Sequence, residues 1–176
     1  GTRYLEKLIK TNLNVKLLDY KPPKWYLKSF MQLSTINSFS YILHSPISLG
    51  WKHAIPYKAV YSLGFSRNAA QLSLVKNPYS FLLSLYKRPY YNPQLKELSF
   101  SQFLRSEFKT VLKENHSSNF ENPIKLWNSK NKSFFELSQI KKHSKLIKYE
   151  ELLADPELWI REIASEFGIT SKQNTF

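Results

Sequence analysis

Residues 71–89, QLSLVKNPYSFLLSLYKRP, constrain the fold of this chain more than any other stretch. Gln71–Val75 is short and largely apolar, as a buried strand requires. Pro78 cannot continue a ladder of hydrogen bonds, and residues 80–86 run on as an apolar helical segment. The spacing predicts a strand, a tight turn and the start of a helix. Lys76 stands at the strand end and the hydroxyl of Ser84 follows eight residues later, on the helix. Unpaired N–H groups at a helix start, beside a cation and a hydroxyl, form a binding place for phosphate or sulfate. The same residues also fit an ordinary strand–helix unit whose Lys76 and Ser84 are simply solvated.

Three further stretches carry chemistry. The chain opens Gly1-Thr2-Arg3-Tyr4-Leu5, residues 49–56 read LGWKHAIP, and residues 146–167 read LIKYEELLADPELWIREIASEF. Together with residues 74–86, LVKNPYSFLLSLY, and in this order over nearly the whole chain, they resemble the sulfotransferases that use 3′-phosphoadenosine 5′-phosphosulfate (PAPS). The resemblance implies a single domain over residues 1–176, a three-layer α/β/α architecture with a central parallel sheet, similar to that of P-loop NTPases. It implies that Lys76 and Ser84 hold the 3′-phosphate of the nucleotide, and that Gly1, Thr2 and Arg3 belong to the loop around the 5′-phosphosulfate. It further implies His53 as catalytic base, with Lys52 as the cation on the bridging oxygen, PAPS as co-substrate and no metal.

Two departures from the family pattern stand out. The family has Arg where this chain has Lys76, which keeps the charge and loses the planar fork suited to phosphate. The family's base lies in K-x-H-x-P, whereas here Lys52 and His53 are adjacent in W-K-H-A-I-P, a shift that reverses a side chain's face in an extended segment. Since the chain starts at Gly1, the family's first strand and the start of its phosphosulfate loop are expected to precede it.

Sulfuryl transfer spreads charge over the equatorial oxygens and the leaving oxygen, as phosphoryl transfer does, so positioning and charge stabilisation carry most of the catalysis. Such a site needs backbone N–H groups, cations and a base near the acceptor. Gly1 permits close backbone approach, Thr2 donates, and Arg3 adds charge. His44, His116 and His143 lie in loop-like stretches and read as surface residues. Tyr149 reads as packing, and Glu150 or Glu151 as pairing with a neighbouring cation or capping backbone. Trp127 and Asn128 resemble a family segment lining the cofactor or acceptor side, and Arg67 reads as a surface charge.

The chain carries 26 basic and 13 acidic residues, a formal net charge of +13, which fits either an anionic partner or a coding bias toward lysine and asparagine without function. The basic residues are dispersed, which favours a general attractive field over a nucleic-acid arm. At 176 residues, with 42% hydrophobic content, the chain can bury a substantial core. The absence of cysteine excludes disulfide and thiolate chemistry. No apolar run reaches the ~18 residues of a membrane span and no signal peptide is visible, so the expected location is cytoplasmic.

Elsewhere, helical periodicity predicts helices over residues 2–12, 99–114 and 125–139, with a loop over 115–122 and a strand over 145–149. A last helix starts with Asp155 as N-cap and Pro156 at its first position, buries Trp159, Ile160, Ile163, Ala164 and Phe167, and ends before Gly168. A P-loop kinase would need G-x-x-x-x-G-K-(S/T), and that string is absent from a chain with four glycines. A nucleic-acid module would explain the charge, yet no such motif is present. The expectation is a sulfotransferase acting on a hydroxyl or amine of a glycan, small molecule or peptide. The alternative is a non-catalytic protein of that fold that binds a nucleotide, anionic ligand or partner.

Overall fold

The computed structural model describes residues 1–15, 17, 70–110, 119–140 and 143–172. They form a mixed α/β arrangement: α1 (Thr2–Asn12), β1 (Gln71–Val75), α2 (Pro78–Lys87), a 3-10 turn (Pro93–Glu97), α3 (Phe100–Phe103), β2 (Phe108–Lys109), β3 (Asn119–Phe120), α4 (Pro123–Ile140), β4 (Ser144–Lys148), α5 (Tyr149–Ala154) and α6 (Pro156–Phe167). β1 and β4 pair in parallel, from Gln71 opposite Ser144 to Val75 opposite Lys148. A parallel pair requires a crossover, here built from α2 to α4. β2 and β3 form a short antiparallel pair.

Two apolar clusters hold these elements. Leu5, Ile9 and Leu13 of the α1 segment meet Ile147 of β4, Leu152 of α5, and Ile160 and Ile163 of α6, with Leu72 and Leu74 of β1 packed against them. The expected face of the last helix is the one used: Ile160 and Ile163 are buried, and Trp159, Ala164 and Phe167 are partly so. Asp155 Oδ1 accepts the Leu158 N–H at 2.9 Å, and Gly168 turns the chain in the left-handed region (φ 62°), which no side chain adopts without strain. Lys145, on the same sheet face, lies across the Trp159 ring and pairs with Glu162 and Glu166. Burial pulls its ammonium pKa down, and the hydrogen bonds and attraction of the two carboxylates outweigh that, leaving it above the ordinary lysine value.

The second cluster gathers Leu85 of α2, Leu95, Phe103, Phe108 and Leu126 of α4. It overturns the expectation of a helix over 99–114. Ser99 and Gln102 close a capping box at the start, but α3 ends at Phe103 and the chain is extended by Phe108. The reason is non-local: the fully buried Asn92 donates from Nδ2 to the Lys109 carbonyl and accepts the Lys109 N–H, both at 2.9 Å. These bonds hold Lys109 extended and satisfy a buried amide. Phe103 and Phe108 still meet edge to face, so the periodic aromatic positions are buried without a continuous helix. The expected loop over 115–122 likewise includes strand β3. β4 ends one residue earlier than expected, because Tyr149 already begins α5.

Candidate functional site

The carboxyl ends of β1 and β4 lie side by side, so the residues that follow each strand converge. After β1 come Lys76 and Asn77; after β4 come Tyr149 and Glu150. Asn77 precedes a proline at the first helical position, a pairing that starts a helix by local chemistry alone. Its Oδ1 accepts the Ser80 N–H at 2.8 Å.

Lys76 Nζ donates to Ser84 Oγ at 3.2 Å, and Ser84 Oγ donates in turn to the Ser80 carbonyl at 2.7 Å. The two residues predicted to act together are thus in contact. The Lys76 ammonium also sits 5.5 Å from the centre of the Tyr149 ring, within cation–π range. Its carbonyl accepts the indole N–H of Trp127 on α4 at 2.9 Å. Glu150 Oε1 accepts two bonds from Asn77, from the backbone N–H at 3.2 Å and from Nδ2 at 2.7 Å.

Gly1 reaches the same place. A Cβ at this position would lie 2.8 Å from Leu74 Cδ2 and 3.2 Å from Tyr149 Cδ2, so the start of α1 packs directly on β1 and on the ring that faces Lys76. Among the described residues no side chain caps the start of α1, and its first turn carries no acidic residue. Thr2 is half-buried in that turn and Arg3 is exposed. Gly1, Thr2, Lys76 and Ser84 therefore gather at one end of the strand pair. Lys52, His53, His44, His116 and Arg67 lie outside the described residues.

One expectation needs correction. The start of α2 does not offer a row of unpaired N–H groups: Pro78 has none, Ser80 is capped by Asn77, and Asn77 itself donates to Glu150. On this side the Lys76 ammonium and the Ser84 hydroxyl are the groups whose chemistry suits an anion. Between the turn and α4 lies a cleft of about 250 Å³, lined by Lys76, Asn77, Trp127, Asn131, Lys148 and Glu150 among others. At its rim the exposed Lys148 bonds Glu151 at 2.7 Å, which raises its pKa above the ordinary lysine value.

Sequence reasoning placed Glu150 as a cation partner or a backbone cap; it is the cap. It missed Trp127 as a support for the Lys76 carbonyl, since no local pattern announces a bond across 51 residues. The N-cap role of Asn77 is absent from the sequence expectations although Asn-Pro is a local signal for it, and its bond to Glu150 has no local signal at all. Among the described residues, no group of three or more His, Cys, Asp or Glu side chains could hold a metal ion. No helix among them is long and apolar enough to cross a membrane. Comparison with family models, characterised proteins and solved structures finds no match to this chain.

Proposed function

We propose that this chain is a sulfotransferase that moves a sulfuryl group from PAPS to a hydroxyl or amine acceptor. The observation that carries the reading is the Lys76–Ser84 contact at the carboxyl end of a parallel strand pair, with the start of α1 packed beside it. Ligands of open α/β sheets bind at that edge. A cation and a hydroxyl at hydrogen-bond distance suit a phosphate monoester, and the α1 start suits a second anionic group. In this reading Lys76 and Ser84 hold the 3′-phosphate, and Gly1, Thr2 and Arg3 face the phosphosulfate. His53 takes the acceptor's proton and Lys52 steadies the leaving oxygen. The strand pair is part of a larger parallel sheet with helices on both sides. PAPS supplies the sulfuryl group; the protein orients it and balances its charge.

The test is binding of adenosine 3′,5′-bisphosphate against AMP, which lacks the 3′-phosphate, by calorimetry and thermal shift. The bisphosphate should bind more tightly and raise the melting temperature further. Lys76→Ala should remove most of that difference, through loss of a charge-assisted contact of about 1.5–3 kcal/mol, roughly 10- to 150-fold in Kd. Equal binding of both nucleotides would refute the assignment. Bisphosphate binding without sulfuryl transfer to phenol, amine or glycan acceptors would favour the non-catalytic alternative.

A further inference from the structure

The Lys76–Asn77 turn is held from several sides, and its firmest anchor is a carboxylate 73 residues away. Glu150 Oε1 takes both donors of Asn77, the backbone N–H and the side-chain amide. That fixes the rotamer of Asn77, whose Oδ1 then meets the Ser80 N–H. The Ser80 carbonyl receives Ser84 Oγ, and Ser84 Oγ receives Lys76. A continuous chain of hydrogen bonds therefore runs from the first turn of α5 through the cap of α2 to the ammonium.

We propose that Glu150 is a positioning residue that acts through Asn77: it locks the Lys76–Asn77 turn and the first turn of α2, and so holds Lys76 and Ser84 at a fixed separation. Its role in ligand binding rests on the reading of Lys76 and Ser84 as an anion site. Glu150 does not touch the anion. Its Oε1 faces the amide donors of Asn77, and without those bonds a carboxylate near an anion site would repel the ligand. In metal sites, partners that orient a liganding group from behind change affinity by ~10- to 100-fold when removed, and the lower end of that range is expected for an ammonium and a hydroxyl held for an anion.

The experiment uses the ¹⁵N-labelled full chain with Glu150→Leu, which removes the acceptor, and Glu150→Gln, which keeps an oxygen in its place. Amide hydrogen exchange at Ser80 is read first, with the amide of the buried Leu85 as a control for folding. Glu150→Leu should speed Ser80 exchange by about tenfold or more and leave Leu85 protected, while Glu150→Gln stays near wild type. Adenosine 3′,5′-bisphosphate is then titrated: Glu150→Leu should weaken it by roughly tenfold and Glu150→Gln by no more than about threefold, with AMP little affected by either. Unchanged Ser80 exchange in Glu150→Leu overturns the proposal, as does a Glu150→Gln variant as impaired as Glu150→Leu. The expected exchange pattern in a chain that does not bind the bisphosphate would uphold the lock and refute the anion reading instead.

Discussion

Asn77 performs two jobs with one side chain, and replacing it separates them. Asn77→Ala removes the N-cap of α2, a loss of about 1 kcal/mol. It also removes the 2.7 Å bond from Nδ2 to Glu150. A hydrogen bond to a charged group contributes ~1.5–3 kcal/mol when buried, but Glu150 is only half-buried and keeps the Asn77 backbone N–H, so about 1 kcal/mol is the reasonable share. The sum is roughly 2 kcal/mol, well above the scatter of surface substitutions. Asn77→Asp is the sharper variant. Aspartate is as good an N-cap as asparagine, so that role survives, but the donor becomes a second carboxylate against Glu150. At neutral pH the folded state must hold two like charges in contact, with an expected loss of about 1–2 kcal/mol. Such a pair binds a proton more readily when folded than when unfolded, which raises its folded pKa. The deficit is thus full above the folded pKa and shrinks as pH falls through it into the ordinary carboxylate range. Urea denaturation of wild type, Asn77→Ala and Asn77→Asp at several pH values reads all three. An Asn77→Asp chain as stable as wild type at neutral pH, with no relief on acidification, would refute the Glu150 contact and the reasoning built on it.

The paired Lys145 makes the opposite pH prediction: its folded pKa is raised, so its contribution is complete below the ordinary lysine value and fades as pH rises through the folded one. Lys145→Met should cost about 1 kcal/mol at neutral pH, because Glu162 and Glu166 are 45% and 41% exposed, and the gap to wild type in urea melts should narrow as pH rises past the ordinary lysine value. A gap that widens with pH would contradict this. Gly1→Ala forces a methyl to 2.8 Å from Leu74 Cδ2. The leucine must shift, and a loss of about 1 kcal/mol in thermal or urea unfolding is expected; a stabilised variant would show that the approach is looser than described.

The sequence by itself determined α2 and α6, whose ends are set by local chemistry. Asn77 and Pro78 open α2, Asp155 and Pro156 open α6, and Gly168 closes it, because caps and fixed φ angles act within a few residues. The Lys76 and Ser84 pairing was also legible, since a strand end and the second turn of the following helix lie within reach of one side chain. Only the tertiary structure decided where α3 ends. Helical periodicity reports which side chains must be buried, and Phe100, Phe103 and Phe108 satisfy it equally in a continuous helix or in a short one followed by a strand. Asn92, 17 residues from Lys109, decides between them by holding both polar groups of that peptide backbone. The supports of the candidate site are non-local in the same way. Trp127 lies 51 residues from Lys76, and Glu150 lies 73 from Asn77. The Glu150 bond exists because parallel pairing sets Val75 beside Lys148, a register that no window along the chain contains, and the Trp127 bond exists because α4 packs against the strand pair.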